Sequence, residues 1–301
     1  MDFDFALLLV ILTAVTGVIW LFDVLFLKKG RVTRAQALNA VGGSKEEREQ
    51  RVAEAMREPA IVEYARSFFP VILIVLGFRS FIAEPFKIPS GSMIPTLQIG
   101  DFILVNKFAY GLRVPVLNTK FLEIGSPQRG DVFVFVYPGF KCTVDGREVR
   151  MQRSCGAFNN TPVQKMNYIK RVIGLPGDTI TYRNKTLYVN DKEIAQTDVG
   201  PFGGPFSHDP NTCNLAVSEI REEMLPAADH RILHMPNQNG AEGTYVVPQG
   251  QYFAMGDDRD CSEDSRYWGF VPEQNLVGRA FVVWMNWDGG IDFKRLGTLI
   301  K

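Results

Sequence analysis

Only three His and four Cys occur among the 301 residues, and neither charge sign is in excess, with 33 Lys plus Arg against 33 Asp plus Glu. Four Cys are too few for a miniprotein built on disulfides. Zero net charge excludes a protein that holds nucleic acid by bulk electrostatics, leaving only a local basic patch. The 27 Gly follow no three-residue period, which excludes collagen. A hydrophobic content of 46% with 22% charged residues excludes a disordered chain. The length allows one or two globular domains with a real core.

Basic residues are also missing before residue 28, where the chain is most apolar. Phe5 to Leu27 is a run of 23 residues with one charge, Asp23, diluted only by Thr13, Thr16 and Gly17. At about 1.5 Å per residue such a helix spans a hydrocarbon core of roughly 30 Å with some tilt. The run is too long for a cleaved signal peptide and lacks its basic leader, so a retained anchor is expected. Phe68 to Ala83 is a weaker second segment, interrupted by Pro70, Gly77, Arg79 and Ser80. Its flanking cations can snorkel. Between the two lie nine basic residues: Lys28, Lys29, Arg31, Arg34, Lys45, Arg48, Arg51, Arg57 and Arg66. The positive-inside rule counts Lys and Arg and gives acids little weight, so the loop is expected to be cytoplasmic. The expected layout is an N-out transmembrane helix over 1–27, a cytoplasmic loop over 28–66, a second transmembrane helix over 67–83 and an external domain over 84–301. Residues 45–58 read as a solvated helix or disorder.

From residue 84 the texture changes to short apolar runs separated by Gly, Pro and Asp. Phe102–Val105, Val132–Tyr137, Ile169–Ile173, Thr179–Tyr182, Thr186–Val189, Thr244–Val247, Tyr252–Met255 and Phe281–Trp284 read as strands. Three of them follow the same punctuation, Gly100-Asp101, Gly130-Asp131 and Gly177-Asp178, in which Gly permits φ > 0 and Asp bonds nearby backbone. No sustained helical amphipathicity appears. The expected fold is mainly β: an antiparallel sheet or folded barrel with a smaller β insertion over 184–250, anchored by two N-terminal transmembrane helices.

Three segments carry chemistry. Pro89-Ser90-Gly91-Ser92-Met93-Ile94-Pro95 follows the second hydrophobic segment, among apolar Phe86, Ile88, Met93 and Leu97 that a plain turn would not need exposed. A nucleophilic Ser needs a base. His208, His230 and His234 all fall in the insertion and read as surface or structural residues; no metal set accompanies them. Tyr168-Ile169-Lys170-Arg171-Val172-Ile173 offers Lys instead. Alternation gives each strand face one cation, so periodicity does not choose between Lys170 and Arg171. Chemistry does: Arg keeps its proton, whereas a buried Lys becomes a base near neutrality. The third segment, Gly256 to Glu273, is dense in acids, yet Glu263 and Gly269 occupy the Gly and Glu positions of an EF-hand, so that reading fails. Arg259 and Arg266 instead suggest a self-bonded loop, from which a hydroxyl could orient a neutral Lys.

These motifs, in this order after two anchors, resemble bacterial type I signal peptidases (leader peptidases) over nearly the whole chain. Arg129-Gly130-Asp131-Val132 adds to the likeness. The resemblance implies a membrane serine endopeptidase that removes signal peptides after small residues, of A-x-A type. It makes Ser92 the nucleophile, Lys170 the general base, and the Ser90 hydroxyl with the Ser92 N–H the oxyanion donors. Ser262 would orient Lys170, with Asp264 and Arg266 supporting that loop, and Phe86, Ile88, Pro89, Met93, Leu97, Tyr168 and Ile169 would line the substrate cleft. No cofactor or metal is implied. The implied partners are preprotein signal peptides docked as extended strands, membrane lipid and the secretion translocon, with no nucleic acid. The implied location is the cytoplasmic (inner) membrane, multi-pass, with the catalytic domain on the periplasmic side.

The chain departs from the family pattern twice. The family loop reads Gly-Asp-Asn-Arg-Asp-Asn-Ser, where this chain has Asp258 and Cys261 for the two Asn. The connection from Pro138 to Asn167 is longer than usual and holds Cys142 and Cys155. The four Cys allow three full pairings; Cys142–Cys155 is one of them. Two rival classes differ in testable ways. A membrane-anchored β domain that only binds peptides needs no reactive Ser, and a penicillin-binding protein needs a Ser-x-x-Lys motif, which is absent.

Overall fold

The computed structural model describes the chain except residues 1–4, 114–118, 145–146, 152–162, 164, 204–214 and 227–228. It divides into one unit ending at Phe81 and another running from Ile82 to Lys301.

In the first unit, α1 (Phe5–Phe22) passes through a π turn, Asp23–Leu27, straight into α2 (Lys28–Asn39). The helix thus outruns the apolar segment. Helix α3 (Lys45–Met56) starts with a capping box, in which Ser44 Oγ accepts from the Glu47 N–H and Glu47 Oε2 from the Ser44 N–H. Helix α4 (Ala60–Gly77) contains Pro70 and ends in a second π turn, Phe78–Ile82. Two helical stretches, Leu7–Asn39 and Ala60–Ser80, are long and apolar enough to cross a membrane. Ile11, Val15, Val18 and Leu21 of α1 are exposed, unlike the side chains of a buried core helix. Helices α1 and α4 pack where Gly17 faces Phe69: a Cβ there would lie 2.8 Å from the ring. Asp23, the one charge of the first run, is buried and paired with both guanidinium nitrogens of Arg31, at 2.6 and 2.7 Å.

In the second unit the principal strands are β1 (Ala83–Lys87), β2 (Asp101–Asn106), β3 (Val132–Val136), β4 (Asn167–Gly174), β5 (Thr179–Arg183) and β6 (Thr186–Val189). They continue as β7 (Gln196–Pro201), β8 (Glu219–Met224), β9 (Asp229–His234), β10 (Gly243–Val246), β11 (Gln251–Met255) and β12 (Leu276–Asn286). The main sheet is antiparallel and curled, in the order β1-β2-β12-β3-β4-β11, with Val271–Pro272 beyond β11 and Thr298–Leu299 beside β12. Register shifts in β12, between Ala280 and Val282 and between Val283 and Met285, bend it against β2. Strands β6, β5 and β10 build a second sheet, and β7, β8 and β9 a third. The protein is therefore mainly β, as its turn-separated apolar runs indicate. The 184–250 range contributes to both smaller sheets.

The three Gly-Asp pairs build one turn three times. Gly100, Gly130 and Gly177 have φ of +84°, +100° and +90°. Each following Asp accepts, through its carboxylate, the backbone N–H three residues before it: Gln98 to Asp101, Gln128 to Asp131 and Leu175 to Asp178. Strand β3 has buried residues on both faces. Val132 and Val134 join a core with Ile103, Val105, Ile169 and Val283, while Phe133 and Phe135 pack with Val172, Tyr252 and Trp268.

Candidate active site

The segment between β1 and β2 leaves the sheet and returns through a narrow neck. The Ile88 N–H donates to Asp101 O at 2.8 Å, and the Gly100 N–H to Ile88 O at 3.0 Å. Inside the excursion, turns form from the Ile94 N–H to Gly91 O and from the Leu97 N–H to Met93 O, both 2.9 Å. Met93 and Leu97 are fully buried and Ile88 nearly so, in one core with Ile103, Val134 and Ile169. Burial of each such side chain contributes about 1.5–3 kcal/mol. The turn that carries Ser92 is thereby plugged into the sheet, with Ser92 half-buried and Pro89 and Ser90 exposed.

Strand β4 supplies the second group. It lies between β3 and β11, with Lys170 opposite Phe133 and Arg171 opposite both Val132 and Met255. Lys170 is 4% exposed, and its Nζ is hydrogen-bonded to Ser92 Oγ at 2.5 Å. Burial pushes the Lys170 ammonium down to about 8, against the pull of Asp264, Asp257, Glu263 and Asp258, which favour the charged form. The Tyr168 ring centroid lies 5.9 Å from Nζ.

Because Met255 ends β11 opposite Arg171, the acid-rich loop begins beside the Ser–Lys pair. Asp257 accepts two hydrogen bonds from Arg171, at 2.8 and 2.7 Å, and a third from Thr96 Oγ1 at 2.5 Å. One carboxylate thus joins the strand of Lys170 to the turn of Ser92. Gly256 is wedged so tightly that a Cβ would enter both Ser262 and the Ser92 carbonyl oxygen. The Asp258 N–H donates to that same carbonyl at 3.2 Å. Asp264 caps the short helix Ser265–Trp268, accepts from the Gly256 N–H and pairs with Arg266 at 2.8 Å. Burial, then Asp260, pushes the Asp258 carboxyl up to about 7, and its Oδ1 has no hydrogen-bond partner among the described residues.

Several expectations change. Ile88, Met93 and Leu97 are core side chains rather than exposed apolar ones: a turn excised from a sheet must refill the space beneath it. Ile169 is buried beside them, while Phe86 and Tyr168 are half-buried. Lys170 and Arg171 are both buried within the sheet. The loop is self-bonded through Asp264–Arg266, but Arg259 pairs outside it, with Glu223 of β8. Ser262 is buried, and its Oγ makes no hydrogen bond among the described residues, to Lys170 or otherwise. His230 and His234 are buried within β9, which fits the structural rather than the surface alternative read for them, and His208 lies outside the described residues. Cys142 and Cys261 are both disulfide-bonded; the pairing Cys142–Cys155 falls on residues outside those described. Asp257, Thr96 and Glu223 were not singled out by the sequence. Asp257 was the legible one, as a carboxylate beside a strand end in a segment dense with Arg.

Residues 61–287 match the family model described as signal peptidase, peptidase S26. The chain is 44% identical to a signal peptidase I of Pseudomonas fluorescens, covering 95% of this chain and 94% of that one. It is 45% identical to one of Pseudomonas aeruginosa over the same shares, and 34% identical to one of Aquifex aeolicus over 72% and 81%. A crystal structure of a signal peptidase I from Enterococcus faecalis aligns at 26% identity over 52% of this chain and 98% of that one, with a TM-score of 0.27.

Proposed function

Because this chain belongs to the signal peptidase I family, we propose that Ser92 and Lys170 are the nucleophile and general base with which it cleaves signal peptides from preproteins. The observation that carries the assignment is the 2.5 Å contact between Lys170 Nζ and Ser92 Oγ inside a desolvated strand. With its pKa near 8, about a tenth of Lys170 is neutral at pH 7, against roughly one in three thousand at the ordinary lysine value. Neutral Lys170 takes the Ser92 proton as Oγ attacks the scissile carbonyl. The Ser90 hydroxyl and the Ser92 N–H donate to the oxyanion. The Lys170 ammonium then protonates the leaving amine. Once neutral again, Lys170 draws a proton from the water that opens the acyl-enzyme. Ser262, Asp264 and Arg266 support Lys170 from the loop, and Ser262 Oγ, without a hydrogen-bond partner among the described residues, can accept a Lys170 N–H.

The substrate is read as an extended strand. Strand β1 pairs only with β2 among the described strands, so its outer backbone groups are available for strand addition beside Pro89 and Ser90. In this reading Phe86, Pro89 and Tyr168 line that cleft, above the buried Ile88, Met93, Leu97 and Ile169. A floor already packed with Met93 and Leu97 suits small residues next to the cut, as in A-x-A. Two apolar helices fit residence in the inner membrane, with lipid and the secretion translocon as neighbours. The nine-cation loop between them supports a periplasmic domain. Disulfides at Cys142 and Cys261 suit the same oxidising side.

The decisive assay is cleavage of a model preprotein with the product N-terminus sequenced. Ser92→Ala and Lys170→Ala are expected to lower kcat by at least about 10³-fold while the domain stays folded. Lys170→Arg should fail equally, because it keeps size and charge but not basicity. Robust cleavage by any of the three rejects the assignment.

A further inference from the structure

Sheet β7-β8-β9 reaches the acid loop through a row of polar side chains, two of them buried. Gln196, Glu223 and His230 stand directly opposite one another across the three strands. Glu223 is at the centre and fully buried, holding the Arg259 guanidinium in a fork: Nη1 donates to Oε1 at 2.5 Å and Nη2 to Oε2. Gln196 Nε2 donates to the same Oε1 at 3.1 Å. His230 Nε2 lies 3.4 Å from Glu223 and 3.8 Å from Asp257, and burial, then Arg171, pushes the imidazole down to about 4, so it stays neutral.

The backbone repeats the attachment. The Leu233 N–H of β9 donates to Asp257 O at 2.9 Å, and the Arg259 N–H to Leu233 O at 3.1 Å, so the loop runs beside β9 like a short parallel strand. Asp260 accepts from the Met235 N–H at 2.8 Å, the Gly240 N–H at 3.0 Å and Lys185 Nζ at 2.5 Å. On its other side the loop holds Ser92 through the Asp258 N–H and the wedged Gly256, whose carbonyl accepts from Arg259 Nε at 3.3 Å. One guanidinium therefore joins Glu223 of the small sheet to the residue packed against Ser92.

We infer that sheet β7-β8-β9 is a positioning platform for the Ser92–Lys170 pair, and that Glu223, through Arg259, is the positioning residue by which it acts. The inference rests on Ser92 and Lys170 being the reacting groups. It gives the 184–250 range a task in the reaction itself: without the Glu223 fork, Arg259 loses its fixed direction, the Gly256 wedge loosens and the Ser92 turn drifts from Lys170.

The test uses the full chain in detergent micelles with a model preprotein, with rates expressed per folded molecule. Glu223→Gln keeps the shape and removes the charge; kcat is expected to fall on the order of 10- to 100-fold, since misplacement near 1 Å costs about that much. KM should stay within about twofold, because the β1 edge is untouched. Glu223→Asp, which keeps the charge, should recover part of the loss, an outcome a purely structural role would not produce. A folded Glu223→Gln variant with wild-type kcat overturns the inference. Should that variant not fold, Lys185→Met decides: it removes a partly exposed anchor of Asp260, and a lowered kcat at unchanged KM supports the platform while an unchanged kcat overturns it. Cleavage surviving Ser92→Ala rejects the Ser–Lys assignment itself, whatever the Glu223 variants do.

Discussion

Asp258 is a carboxyl beside a lysine whose work depends on losing a proton, and the two titrations are coupled. Lys170 sits near 8 and Asp258 near 7, so in the upper part of the acid limb of kcat/KM, between about pH 7 and 8, Asp258 is more than half ionised and favours the Lys170 ammonium. Asp258→Asn removes that charge and keeps the shape. The Lys170 pKa should then fall and the acid limb move to lower pH by roughly half a unit to one unit; an unmoved limb rejects the coupling. Stability should respond with a definite sign. Asp258 binds its proton more tightly in the folded chain, near 7, than at its ordinary value of 3.8. Its contribution is therefore fully present below about pH 3.8 and lost as the pH rises through 7. The amide suffers no such loss, so Asp258→Asn should raise Tm relative to wild type at pH 8 more than at pH 4. At this scale the sequence revealed reactivity and concealed partnership. Lys170 could be preferred to Arg171 on chemistry alone, yet nothing local links Arg171 to an Asp 86 positions later, or Arg259 to a Glu 36 positions earlier. Long-range pairing is set by the sheet order, which residue patterns do not encode.

Turns and strands were legible where a local rule governs them, and loops where geometry forbids a side chain. Gly-Asp before an apolar run foretold three turns, and the eight runs named as strands all lie within or overlap strands of the structure. Strand β8, Glu-Ile-Arg-Glu-Glu-Met, was invisible because its alternation is charged on both faces and its burial comes from Arg259 and the neighbouring strands. Strand β1 hid behind Pro85, tolerated because β1 pairs only with β2 among the described strands. Two glycines separate the kinds of constraint. Gly177 needs its positive φ but meets only the Gln249 side chain, at 3.4 Å, so Gly177→Ala should cost about 1–2 kcal/mol of stability and leave kcat per folded molecule unchanged. Gly256 has no room for a methyl group between Ser262 and the Ser92 carbonyl, so Gly256→Ala should displace the nucleophile and lower kcat by at least about tenfold. Thermal melts and steady-state kinetics on the two variants distinguish these outcomes. A Gly256→Ala enzyme of normal kcat means that the wedge is not needed.

Across the whole molecule, a formal charge of zero conceals an asymmetric arrangement that bears on the proposed topology. Residues 1–66 also balance, with nine basic and nine acidic side chains, yet every basic one lies between the two apolar runs 5–27 and 68–83. Two cations of that set begin α2 at the end of the first apolar run, and Arg31 turns back to neutralise Asp23, so the run reaches the loop without an unpaired charge. The apolar side chains left exposed along α1 and α4 need hydrocarbon rather than water, and Lys and Arg resist translocation where Asp and Glu hardly do. These terms favour one orientation: helix termini of the 28–66 loop on the cytoplasmic side, Ser92 and Lys170 on the other. The two paired cysteines agree with that side, since the glutathione pool of a cytoplasm keeps most thiols reduced. Maleimide labelling in intact spheroplasts, read against the unsubstituted chain, tests the orientation, because Cys142 and Cys261, the cysteines among the described residues, are disulfide-bonded and do not react. An exposed loop site, Glu49→Cys, should label only after the membrane is opened, and an exposed domain site, Lys192→Cys, should label before it. The reverse pattern would place the Ser–Lys pair in the compartment where preproteins are made. The enzyme could then remove a signal peptide before its passenger had crossed, so the orientation is as necessary to the proposed function as the dyad itself.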